Sequence, residues 1–254
     1  MCCYNQFMGR SKRTVILSVI LGVLIVYALA VYVVKPLYIQ HWRHYEIHGG
    51  MTEELRSSEL LSDLQSGRSV CFIGDSITEG NEIEGVHWYQ PLIPYVEGDL
   101  RHFSHGGWTV QDVTGRSDDI PASDIYVIAL GVNDIINDYP SAAPDAEEYA
   151  DRIRQLADIL ENISPDCKLY YIAPWPVLRD EDDIPERARE FTNELEEFCR
   201  SEGHIFINPC PAIIEEFGSS GMSAYMLPDG IHPNDQEGVG LYSYAVLLSD
   251  SERT

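Results

Sequence analysis

The run from Thr14 to Val34 contains no charged residue and is almost wholly aliphatic, and it constrains the chain more than any other feature. Wound as a helix rising ~1.5 Å per residue, it spans the roughly 30 Å hydrocarbon core of a bilayer. Arg10, Lys12 and Arg13 precede it and Lys35 follows. The positive-inside bias then places residues 1–13 in the cytoplasm, makes 14–34 a transmembrane signal anchor, and puts everything after Lys35 outside. Ala28-Leu29-Ala30 resembles a signal cleavage site, so a secreted, cleaved form is the competing expectation; the apolar run continuing to Val34 favours the uncleaved anchor.

Charge divides at the same place. Residues 1–50 hold five Lys or Arg against one acid, net +4, so the formal charge of -24 leaves -28 on residues 51–254. An acidic body without a basic stripe lacks the footprint of a nucleic-acid binder, and its charge speaks mainly for solubility. Residues 35–50 read as an aromatic and His-containing stalk, partly interfacial, and 51–254 as one folded domain. Cys2 and Cys3 precede the span; Cys71, Cys167, Cys199 and Cys210 fall in the exported part, with Cys199–Cys210 the pairing expected if one bridge forms. No CxxC or His-rich cluster suggests zinc, and no cofactor is implied.

Within the domain, short apolar runs alternate with longer amphipathic ones. Strands are expected at Ser69–Ile73, Leu100–Phe103, Asp124–Leu130, Lys168–Ile172 and His204–Ile207. Helical spacing marks 52–65 (Leu55, Leu60, Leu61, Leu64), Asp145–Ile163 (Tyr149, Ile153, Leu156, Leu160) and Pro185–Ser201 (Ala188, Phe191, Leu195, Phe198). Asp235–Leu248 is a weaker helix because Gly238 and Gly240 sit near its start. This order predicts an α/β fold: a five-stranded parallel sheet between two helical layers. Ligands bind such sheets beyond the carboxyl ends of the strands. Gly74-Asp75-Ser76, His105-Gly106-Gly107, Gly131-Val132-Asn133-Asp134 and Ala173-Pro174-Trp175 should therefore meet at one edge.

Each of these segments reads two ways. Ser76 is a nucleophile if a neighbouring base takes its proton, or merely a helix cap. Asp229-Gly230-Ile231-His232-Pro233 sets an acid and an imidazole three residues apart, able to hydrogen-bond if the loop folds back, or it is a surface turn. A metal site using Asp229, His232 and Asp235 is the third option, disfavoured because nothing completes the shell. Asn133 is an amide donor for a developing oxyanion or a cap. Gly107 offers an N–H with no Cβ in the way, or Gly106-Gly107 is a tight turn.

The order Gly-Asp-Ser, Gly-Gly, Gly-x-Asn-Asp, Asp-x-x-His over about Val70 to Leu248 closely resembles the SGNH hydrolase superfamily, the GDSL esterases and lipases. The resemblance implies a flavodoxin-like three-layer sandwich, Ser76 as nucleophile, His232 as general base and Asp229 as its orienting acid. It also implies Gly107 and Asn133 as oxyanion donors, and the N–H of Ser76, at a helix start, is a third candidate. One departure stands out: the family usually has an Asn ahead of the second-block glycine, where this chain reads Phe103-Ser104-His105-Gly106-Gly107-Trp108. Gly107 is chosen because Trp108-Thr109 then aligns with the residues that follow the family glycine.

The expected reaction is ester hydrolysis through an acyl-enzyme. Trp108, Trp175 and Tyr225 are the candidate substrate walls, and the acidic run Asp180–Asp183 reads as a solvated face. Lacking a long apolar lid stretch, the chain favours short acyl groups, above all acetyl esters on carbohydrate. A lysophospholipid or other lipid ester, an O-acyltransferase with the same triad, and a silent binding module are the alternatives.

Overall fold

The computed structural model describes residues 3–35, 37, 45–80, 85–136, 143–179, 183–235 and 237–253, with side chains from residue 15 onward. Two compact units result, residues 1–43 and 44–254. In the first, helix α1 (Cys3–Leu29) continues into a π-helical turn, Ala30–Val34. Val15–Val34, with mean hydropathy 2.8 and none of it buried, is long and apolar enough to cross a membrane.

The second unit carries a five-stranded, wholly parallel sheet: β1 (Val70–Gly74), β2 (Leu100–Ser104), β3 (Ile125–Ala129), β4 (Lys168–Ile172) and β5 (Ile205–Ile207), in the order β2-β1-β3-β4-β5. Every residue of β1 and β3 is buried, because helices cover both faces, which is why these strands read as unbroken apolar runs. β2 lies at an edge and admits Arg101 and His102. This is the flavodoxin-like order, whose switch point falls between β1 and β3; Val70 pairs with Leu100 on one side and Ile125 on the other.

Helix α2 (Glu59–Leu64) precedes the sheet, and the four-residue α3 (Ser76–Glu79) follows β1. Next come α4 (Val110–Thr114), α5 (Val132–Ile136), α6 (Ala146–Ile163), α7 (Ile184–Glu202), α8 (Cys210–Ser220) and α9 (Glu237–Arg253). α6 buries the expected stripe of Tyr149, Ile153, Leu156 and Leu160, and Asp145 caps it by accepting the Glu148 N–H at 2.8 Å. α7 stops at Gly203, whose φ of +78° suits glycine.

Three expectations are corrected. The helix over 52–65 is broken into a 3₁₀ turn (Leu55–Ser57) and α2. Extended Ser58 intervenes, accepting the Leu61 N–H at 3.1 Å and donating to buried Asp250 at 2.7 Å. Cys199 and Cys210 are not bridged: both are free, as are Cys71 and Cys167, and the Cys210 thiol instead meets the Pro174 carbonyl at 3.2 Å. The end of the stalk belongs to the folded body, since Tyr45 and Ile47 are buried and the His48 N–H bonds the Gly240 carbonyl at 3.1 Å. Residues 36 and 38–44 of that stalk, and 180–182 of the acidic run, lie outside the described residues.

Candidate active site

β1 ends in a turn so tight that a Cβ on Gly74 would sit 2.1 Å from Thr78 Oγ1. The chain then enters α3 with Asp75 as its cap, the carboxylate accepting the Ile77 N–H at 3.0 Å, and Ser76 begins the helix beyond the strand's carboxyl end. His232 arrives from the far end of the sequence. Its loop is closed by the Leu227 N–H on the His232 carbonyl at 2.8 Å, a Met226–Pro233 bridge, and a turn at Gly230 with φ +70°. Asp229 folds that loop onto itself: one carboxylate oxygen accepts the N–H groups of Ile231 (2.9 Å) and His232 (3.1 Å), while the other meets His232 Nδ1 at 2.7 Å.

Ser76 Oγ lies 2.7 Å from His232 Nε2. A carboxylate only accepts, so Nδ1 carries the ring proton and Nε2 turns a lone pair to the serine hydroxyl. Partial burial works to raise the Asp229 pKa, but the N–H donors of Ile231 and His232 outweigh it and hold the carboxyl below its ordinary value. Asp229 is therefore kept ionised beside the imidazole. Both ring nitrogens of His232 are engaged, so this loop is not arranged to present them to a metal as the Asp229–His232–Asp235 reading would require.

The remaining strand ends converge as the parallel sheet requires. Asn133, the second residue of α5, donates one amide hydrogen to the Trp108 carbonyl at 3.0 Å, and an amide has a second to offer. Gly131 before it has φ +125°, and a Cβ there would press on Pro174 at 2.8 Å. The Gly106 N–H is committed to Glu79 at 2.6 Å, whereas the Gly107 N–H has no hydrogen-bond partner among the described residues. A Cβ on Gly107 would meet nothing within 4 Å, so glycine serves its φ of +78° rather than clearing space.

Two buried acids flank these groups. Asp75 is 1% exposed and one of its oxygens lacks a partner among the described residues; burial pushes its pKa up to about 7, with the Ile77 N–H and His232 opposing. Asp134 accepts the Val110 N–H at 3.2 Å and lies 3.7 Å from Arg152, yet burial still pushes it up to about 6.

Of the three candidate walls, Trp108 is half-buried beside the site, against Phe103 and under Arg116. Trp175 is a correction: it is 1% exposed, wedged between Trp88 and Tyr242, and so is core rather than wall. Tyr225 is likewise buried at 5%, its hydroxyl donating to Glu216 at 2.8 Å. The sequence reading missed Glu79 and His105, which face each other across the loop after β2 at 3.1 Å. Glu79 stands one helical turn beyond Ser76, and that spacing was the available signal.

A sheet of this order with a serine, an imidazole and a carboxylate in hydrogen-bonded sequence beyond its strand ends defines a serine ester hydrolase of the flavodoxin-like kind. The chain belongs to the GDSL-like lipase/acylhydrolase family, whose model matches residues 72–236. It is similar to the GDSL lipase Rv0518 of Mycobacterium tuberculosis, 26% identical over 185 residues that cover 65% of this chain and 74% of that protein. Its fold is similar to the acetylxylan esterase Axe2 of Geobacillus stearothermophilus, with a TM-score of 0.61 at 19% identity over 74% of this chain and 95% of that one. A GDSL-like lipase from Parabacteroides merdae gives a TM-score of 0.60 at 20% identity, over 73% and 98%.

Proposed function

We propose that this chain is a membrane-tethered, extracytoplasmic serine esterase that removes short acyl groups, acetyl above all, from carbohydrate. Ser76 is its nucleophile, His232 its base and Asp229 the orienting acid. The observation that carries the reading is the unbroken pair of 2.7 Å contacts from Asp229 through His232 to Ser76. Ser76 Oγ attacks the ester carbonyl carbon while Nε2 takes its proton, and Asp229 stabilises the imidazolium. The oxyanion is received by the N–H groups of Ser76 and Gly107 and by the Asn133 amide. Collapse expels the alcohol with the proton from His232. Water, activated by the same ring, then releases the acid and restores the serine.

The preference for short acyl groups rests on the lack of a long apolar lid stretch in the sequence, and the carbohydrate on the fold shared with an acetylxylan esterase. The span Val15–Val34 favours the tether with the N-terminus cytoplasmic, and it also supports a second reading, a lipid ester such as a lysophospholipid. Nitrophenyl esters of increasing chain length, followed by acetylated glycans and lysophospholipid, separate the two. Fastest turnover on acetyl esters with acetate released from glycan supports the first; a preference rising with chain length moves the assignment to lipid. Acetyl transfer from a donor to a glycan hydroxyl in place of hydrolysis would make the enzyme an acyltransferase. A fluorophosphonate probe should label the parent chain and leave Ser76→Ala unlabelled.

A further inference from the structure

The loop after β2 presents Gly107, and two of its contacts come from the helix that presents Ser76. Glu79, the last residue of α3, accepts the Gly106 N–H at 2.6 Å with one carboxylate oxygen and faces His105 Nδ1 at 3.1 Å with the other. A carboxylate gripping two donors at once fixes direction as well as distance. The Gly106 N–H lies in the His105–Gly106 peptide and the Gly107 N–H in the peptide that follows, so with the first plane anchored only the φ and ψ of Gly106 separate the latch from the next N–H. Gly107 sits at φ +78° inside a turn that the Trp108 N–H closes on the His105 carbonyl at 3.2 Å, so anchoring His105 and Gly106 orients the turn as a unit. The far side of the same loop is tied separately, by Asn133 to the Trp108 carbonyl and by Asp134 to the Val110 N–H.

We propose that Glu79 is a positioning residue: it latches the His105-Gly106 segment to the nucleophile's own helix and so aims the Gly107 N–H at the oxyanion. The claim rests on the esterase reading above. Its logic is geometric. Donors to an oxyanion act only when they are held in place before the charge develops, and displacements of about 1 Å at a reacting centre are costly. Glu79 and His105 have side chains 40% and 62% exposed, so solvent screens the pair and its share of global stability is small. Losing the latch should therefore harm turnover while leaving the fold intact.

The test is steady-state kinetics of the full chain in detergent on nitrophenyl acetate, with thermal melts alongside. Glu79→Ala should lower kcat and kcat/KM together by roughly tenfold, KM staying within about twofold, as for an interaction made in the transition state. Glu79→Gln, whose amide oxygen still accepts the Gly106 N–H, should recover most of that loss. His105→Ala, which removes only the outer half of the latch and leaves α3 untouched, should cost less than Glu79→Ala and also act on kcat. The proposal is overturned by a Glu79→Ala enzyme with kcat within about twofold of the parent, by a change confined to KM, or by a Gln variant as slow as the Ala variant. Ser76→Ala separates the two layers of inference. Activity surviving in Ser76→Ala removes the esterase reading itself, whereas an inert Ser76→Ala beside an unaffected Glu79→Ala removes only the latch.

Discussion

At the residue scale, the proposed roles make distinct demands on single atoms. Asn133→Ala deletes an oxyanion donor and should cost kcat roughly a hundredfold with little change in KM, read by steady-state kinetics. A loss expressed only in KM would make Asn133 a binding residue. Asp75 yields a different test. Its folded pKa, about 7, lies above the ordinary carboxyl value, so between the two the native state keeps a proton that the unfolded chain releases. Its contribution to stability is thus fully present at low pH and is lost as pH climbs through about 7. Asp75→Asn keeps an oxygen for the Ile77 N–H and cannot ionise; its gain in melting temperature over the parent should be clearly larger at about pH 8 than at about pH 5, where the loss has only begun. Equal differences at both values would contradict the linkage. The placement of Ser76 and Asn133 was legible in the sequence because each follows an apolar run that forms a strand, and the meeting of Asp229 with His232 because the two stand three residues apart in a turn-forming stretch. Burial was not: nothing in the order of residues distinguishes Trp175, locked between Trp88 and Tyr242, from half-exposed Trp108.

At the element scale, strands were read to within about a residue because both faces of the inner strands are covered and their pattern is a plain apolar run, with edge strand β2 the exception. Short helices were not. α4 buries only Val110 and Val113, too few for a periodicity, and α8 opens on Pro209-Cys210-Pro211 and buries only Ile213 and Phe217. The glycines of α9 carried the opposite lesson. Glycine weakens a helix, so Gly238 and Gly240 argued against the element; in the structure they let it pack. A Cβ on Gly238 would stand 2.1 Å from the Tyr225 carbonyl oxygen, and one on Gly240 2.8 Å from that of Glu46. The two effects have opposite signs. Replacing a helical glycine by alanine gains about 1 kcal/mol in propensity, whereas forcing an atom against fixed backbone costs typically ~1–3 kcal/mol. Contact at 2.1 Å with a carbonyl belongs to the upper end, so Gly238→Ala should be destabilising on balance, as a fall in the urea midpoint would show. A stabilised variant would mean that the Tyr225 segment yields easily, and that the glycine is there for another reason.

At the scale of the whole molecule, the apolar helix and the acidic body are separate compact units, and the boundary between them lies closer to that helix in sequence than composition suggests. Tyr45 and Ile47 are 7% and 5% exposed, and the rings of Tyr225 and Tyr244 meet the edge of His48 at 5.8 and 5.7 Å. Residues 45–48 are thus part of the folded body, meeting α9 where Gly240 has no side chain. A truncated chain starting at residue 44 keeps every one of these contacts. It should be soluble and match the full chain in kcat/KM on a water-soluble ester. A chain starting at Met51, the boundary that composition alone suggests, lacks two buried side chains worth on the order of 3 kcal/mol together, an upper figure. For a domain of this size that corresponds to a drop of at most roughly 6–12 °C in Tm. Melting both chains in the same buffer decides the matter: equal midpoints would mean that 44–50 merely rests on the domain. A cooperative loss in the shorter chain would make residues 45–48 a structural part of the enzyme, tied to α9 through Gly240 and to the ring of Tyr225 in the segment that leads to His232.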